Sequence, residues 1–243
     1  KLGEDMRYKV MVGNNLSQLG VNAGRLGDNL DTFSARLDWM PTTGEFGPGR
    51  GLDDFHAHSE LATLFGIAGT YSVEDPQSQP GTEDINNSQI RISDGTRIFI
   101  PGAFETDGRI TEATYQMLAV DGGMKYRGFS LAGEYYWRWV DDFNTQGDVP
   151  VDDLYDHGFQ LQTSYMFMPK YLQGYIAGSK IFGEYGDPWD TAIGVNWFPF
   201  RQRLVRVNGE FLYMKDSPIG YSSIPYQVGG DGVAFQTNLE MKF

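Results

Sequence analysis

The chain of 243 residues has no cysteine, which excludes a disulfide framework and any thiolate metal site. Histidine is scarce, with only His56, His58 and His157. A His-x-His pair without patterned carboxylates is a poor basis for a zinc site. No run of about 18 apolar residues occurs, so no segment reads as a transmembrane helix. Basic side chains are outnumbered: 19 Lys and Arg against 32 Asp and Glu give a net charge of −13. That excess argues against nucleic acid as a partner, since backbone phosphates would be repelled. Gly-x-Ser-x-Gly, Walker and dinucleotide glycine motifs are all missing, and the reading is of a non-enzyme.

What remains is rich in aromatics, at 14%, and in glycine, with 31 residues. The mean hydropathy is −0.40. A low average does not argue against a membrane, because transmembrane strands alternate apolar and polar residues. Alternation is the main signal here. Phe235, Thr237, Leu239, Met241 and Phe243 interleave with Gln236, Asn238, Glu240 and Lys242. The same period recurs over 32–39, 129–139, 159–167 and 204–213, and more weakly over 6–13, 61–74, 114–126, 172–181 and 190–198. About ten strands of roughly 9–12 residues result, matching the roughly 9–11 residues that cross a bilayer rather than the 5–6 usual in soluble proteins.

The connections supply a second test, because outer-membrane barrels alternate short periplasmic turns with long external loops. Counted back from the C-terminus, 214–234 reads as long, 199–202 as tight, 182–189 as moderate, 168–171 as tight, 141–157 as long and acidic, 127–128 as tight, and 75–113 and 14–31 as long. Segment 41–60 breaks the rule: a short turn is expected, yet about twenty residues rich in Gly and Pro stand there. Trp39, Trp137, Trp139, Trp197, Phe167 and Phe198 fall near strand ends, where an aromatic girdle would lie. Together these features predict one all-β domain: a transmembrane antiparallel up-and-down barrel.

The last strand, closed by Phe243, resembles the C-terminal signature of outer-membrane proteins. Further fragments resemble the phosphate-selective porin superfamily named for porins O and P. They are Arg7-Tyr8 with Gly13-Asn14, Phe33-Ser34-Ala35-Arg36 with Phe46-Gly47-Pro48-Gly49, and Ser93-Asp94-Gly95. To these add Ala113-Thr114-Tyr115, Gly128-Phe129-Ser130 with Glu134-Tyr135-Tyr136, and Gly194-Val195-Asn196-Trp197. The resemblance implies an outer-membrane porin of a Gram-negative-type bacterium, about sixteen strands per barrel and often trimeric, with small hydrophilic solutes as cargo. It also implies an N-terminal part of the barrel outside this chain, which opens on Lys1.

By alternation the pore-lining candidates are Arg7, Lys9, Arg36, Asp38, Glu74, Asp121, Lys125, Glu134, Arg138, Arg206, Glu210, Glu240 and Lys242. Both signs occur, either as opposed rows that orient dipolar solutes or as ordinary cross-strand ion pairs. Anion preference would need a Lys and Arg cluster that this pattern lacks. The lipid-facing and girdle candidates are Trp39, Trp137, Trp139, Tyr165, Phe167, Trp197 and Phe243. Loop 75–113 reads equally as a constriction folded into the lumen or as an external flap. Asp142-x-Asn144, with Asp153 further on, gives a weak calcium candidate that departs from the usual loop pattern; otherwise no cofactor is expected. The alternatives are a plugged or structural barrel that anchors another complex, a soluble β-sandwich or lipocalin-like binder, and an outer-membrane enzyme.

Overall fold

In the computed structural model the described residues are 5–14, 16, 30–46, 50–76, 87, 90–217 and 229–242. They form ten strands and, among them, no helix: β1 (Met6–Gly13), β2 (Thr32–Trp39), β3 (Ala62–Glu74), β4 (Arg109–Tyr126), β5 (Phe129–Gln146), β6 (Leu154–Met168), β7 (Leu172–Gly183), β8 (Trp189–Trp197), β9 (Val205–Ser217) and β10 (Gly230–Met241). Each pairs antiparallel with its neighbour in sequence, giving a single up-and-down sheet in the order β1 to β10. The sheet is open: its outermost strands, β1 and β10, are not paired with each other.

The local chemistry explains the hairpins. Arg127 (φ 48°) and Gly128 (φ 85°) both occupy the left-handed region between Tyr126 and Phe129, as a two-residue hairpin turn requires. Because side chains alternate, one row of the ladder fixes the facing of its strands. Thr191, Ile193 and Val195 point to one face of β8, and Ala192, Gly194 and Asn196 to the other. Ile176 pairs with Ile193 and Ile193 with Phe211; Ile193 is 59% exposed while Ala192 is 7% exposed. One face of the sheet is thus apolar and bare, and the other is polar and partly covered.

The strands are staggered. The row that starts at Met6, the first residue of β1, passes Phe65, Gly133 and Tyr213 and reaches β10 at Val233, eight residues before its end at Met241. With about 3.3 Å per residue and about 4.8 Å between strands, this stagger is a lean of about 30°, near the tilt of closed barrels. Arg36, Leu64, Asp121, Ala132, Gln160, Ala177 and Asp190, one from each of β2 to β8, all line a cavity of about 480 Å³.

Several expected boundaries move. β5 runs on to Gln146 and β6 starts at Leu154, so the connection expected over 141–157 shrinks to 147–153. β4 starts at Arg109, which trims 75–113 to 75–108. The cause is a bulged ladder: the register shifts on either side of Glu112, and Asp142 has a φ of 52°. Period-2 alternation lapses there, and acidic residues on a strand read as a loop. β9 and β10 likewise extend into 214–234, of which 218–228 lie outside the described residues, as do most of 14–31 and Phe243.

Candidate functional site

The polar face is the candidate site. Its middle carries one ladder row that runs Arg7, Asp38, Gly66, Asp121, Glu134, Gln160, Ser179, Asp190 and Met214. Because the strands lean, this row climbs from the turn end at Asp38 to the loop end at Asp190. Asp121 and Glu134 are direct cross-strand partners, an arrangement of like charges that is unfavourable unless something offsets it. Arg36 does so at Asp121: its guanidinium crosses β3 to bond both carboxylate oxygens and also bonds Asp38 at 2.7 Å. The crossing needs Gly66, where a Cβ would meet the Asp121 carboxylate and come within 2.6 Å of the Arg36 guanidinium. Glu134 and Asp190 have no cation among their described ion pairs; Asp190 accepts a hydrogen bond from Ser179.

Toward the turn end of β5 to β9 the face carries a row of amides and hydroxyls. Ser130 and Ser164 share a hydrogen bond of 2.6 Å, Gln173 donates to Ser164, Asn196 donates to Gln173, and Asn208 donates to Asn196 and Tyr175. Tyr175 lies across Gly194 and donates to Glu210 at 2.6 Å. A chain of satisfied amides and hydroxyls therefore staples β5 to β9. Toward the loop end, Arg138 pairs with Asp156, a residue the sequence placed in a loop.

The pore-lining candidates on strands, Arg7, Lys9, Arg36, Asp38, Glu74, Asp121, Lys125, Glu134, Arg138, Arg206, Glu210 and Glu240, all share the polar face by register. Lys242 lies past the end of β10 and pairs with Glu240, which also pairs with Arg206 at 2.9 Å. Two of the set are covered rather than open. Lys125 is 1% exposed and donates to the carbonyls of Glu45 and Gly51. Glu74 is buried and accepts from Leu16, Ser72 and Asn87. Missed by sequence reading were Asp190, Gln160, Tyr175 and the hub at Asp54; the first three share the parity that identified the others.

Two segments cover the polar face. At the loop end, Ile90, Ile92, Ile98, Phe99 and Phe104 pack as a buried cluster on Ile110, Ala113, Val140 and Leu154. The described part of segment 75–113 thus packs on residues of β4, β5 and β6 at the loop end of the sheet. At the turn end, the described residues of 40–61, which are 40–46 and 50–61, form a strap rather than a turn. Phe55 packs with Met166 and Phe198, and its carbonyl accepts from Lys170 at 3.1 Å.

The apolar face carries Trp39, Trp139, Tyr165, Phe167 and Trp197 as exposed rings, with Trp137 half-buried beside Tyr135. Trp39, Phe65, Tyr126, Phe129, Tyr165 and Trp197 lie toward the turn end. Phe33, Tyr71, Trp139 and Trp189 lie toward the loop end, and an aliphatic band that includes Leu37, Ile67, Leu161, Ile176 and Ile193 runs between. No protein-family model and no curated protein matches this chain. Of the calcium candidates, Asn144 sits on β5 and donates to Glu112 at 2.6 Å, Asp142 lies on the same strand, and Asp153 lies in the connection before β6. Among the described residues no group of three His, Asp or Glu is arranged to hold a metal ion.

Proposed function

We propose that this sheet is the wall of an outer-membrane β-barrel porin through which small hydrophilic solutes diffuse. The observation that carries this reading is the division of the sheet: a bare apolar face, rimmed by aromatic rows at both ends, backs a face of paired charges, amides and carboxylates. A bare face of exposed Phe, Ile, Leu and Trp spread over ten strands is stable against lipid and costly against water. The lean of about 30° supports closure into a barrel. In a bilayer, the open edges of β1 and β10 would need further strands to satisfy their backbone groups.

Transport by this wall involves no bond making. Water and solute pass along the polar face, and the climbing row of Asp38, Asp121, Glu134 and Asp190 sets the local potential. With Arg36 engaged by Asp38 and Asp121, the carboxylates of Glu134 and Asp190 favour cations. Purified protein in planar bilayers under a salt gradient tests this: stepwise conductance with a modest cation preference is expected, and Glu134→Gln with Asp190→Asn shifts the reversal potential toward the anion side. A strong anion preference of the parent would contradict the reading.

A second reading is favoured by the two coverings of the polar face: a plugged barrel that anchors another complex. It predicts membrane insertion with no conductance steps.

A further inference from the structure

We infer that the strap at 50–58 is an internal constriction of the pore, with Leu52 as its tip and Lys125, Asp54 and Arg203 as its fixings. This deepens the porin reading and rests on it.

The strap departs from what its position in the hairpin requires. β2 and β3 are neighbours, and a short turn would join them as Arg127-Gly128 joins β4 and β5. The chain instead crosses the turn end of the sheet beneath three further hairpins. At β4 and β5, the buried Lys125 ammonium holds the Gly51 carbonyl at 2.6 Å, and the fully buried Asp54 accepts from the Gly128 amide at 2.6 Å. At β6 and β7, the Phe55 carbonyl accepts from Lys170. At β8 and β9, Arg203 pairs with Asp53 at 2.8 Å and donates to the Arg50 carbonyl at 2.9 Å. Asp54 also accepts from the backbone and ring of His58, whose other ring nitrogen lies 3.0 Å from Glu45. A turn left loose in solvent needs none of these contacts.

The fixings aim one side chain at the water path. Leu52 lines the 480 Å³ cavity together with Arg36, Asp121, Glu134 and Gln160, facing the carboxylate row. It is 47% exposed, so it is not there to fill a core. An apolar tip opposite a charged wall narrows a pore and disfavours continuous water, the way hydrophobic constrictions gate channels.

The lack of cysteine makes the test clean, because Leu52→Cys introduces the only thiol among these 243 residues. Single channels of the full chain carrying Leu52→Cys are exposed to a bulky charged methanethiosulfonate reagent, with Phe200→Cys, in the exposed turn after β8, as the control. Modification at position 52 is expected to lower conductance by about half or more, whereas position 200 changes little. Leu52→Ala, which raises conductance, reads the same point should the cysteine variant assemble poorly. Complete modification at position 52, verified by mass, with unchanged conductance would overturn the constriction while leaving the porin reading intact. Absence of conductance from the parent protein would overturn the porin reading, and the constriction with it.

Discussion

The two coverings of the polar face are built on opposite chemistry. At the loop end, residues 90–110 are held by apolar packing of Ile90, Ile98, Phe99 and Ile110, each almost wholly buried. At the turn end, the strap is held by the Lys125 ammonium, the Asp54 carboxylate and the Arg203 guanidinium, each bound to backbone atoms, and by the pair of Arg203 with Asp53, with Phe55, Met166 and Phe198 as an apolar patch. Packing is tolerant of direction, and many residues share it. A polar fixing is directional and concentrated in a few atoms, and removing one partner strands the other. The loop end is therefore held by shared packing, and the turn end by several directional contacts, each resting on one residue.

Breaking each end separately tests that contrast. Phe99→Ala leaves a cavity in the loop-end cluster and is expected to cost about 3–5 kcal/mol. Hydrogen exchange should then rise at Ile92 and Ile98, with the amides of Arg127 and Gly128 unchanged. Asp54→Ala leaves the Gly128 amide and the His58 ring without their carboxylate, at a cost of about 1–3 kcal/mol. It should give the converse pattern, faster exchange at Gly128 and His58 with the loop end intact. Exchange that rises at both ends in either variant would show that they open as one unit. Lys125→Met keeps the length of the stem but strands two carbonyls, for about 1–3 kcal/mol. Its effect should fall on the strap alone, and a variant as stable as the parent would mean that Lys125 is no fixing.

How far the sequence revealed these features follows the range of the interactions. The facing of β8 or β10 was legible because alternation is local: Ile193 and Phe235 announce their side within a few residues. The polar parity of Arg36, Asp121 and Glu134 followed from the same pattern. The pairing of Arg36 with Asp121 did not, because it depends on Gly66 of a third strand leaving room. The strap was illegible for a stronger reason. Its fixings join Gly51 to Lys125 and Arg50 to Arg203, separated by 74 and 153 residues, and no local pattern marks them. The one hint was length, about twenty residues where two to four would serve. Acidity misled at 141–157, since Asp142 and Asn144 belong to a bulged strand and not to a loop.

The central claim is that lipid covers one face of this sheet and water the other. Single cysteines placed in turn at positions 191 to 196 of β8, labelled with a fluorophore in the protein reconstituted into vesicles, test it directly. Lipid-attached quenchers should act at 191, 193 and 195, and a water-soluble quencher at 192, 194 and 196. Equal access of the water-soluble quencher to all six positions, or a protein that stays out of the vesicles, would contradict the account.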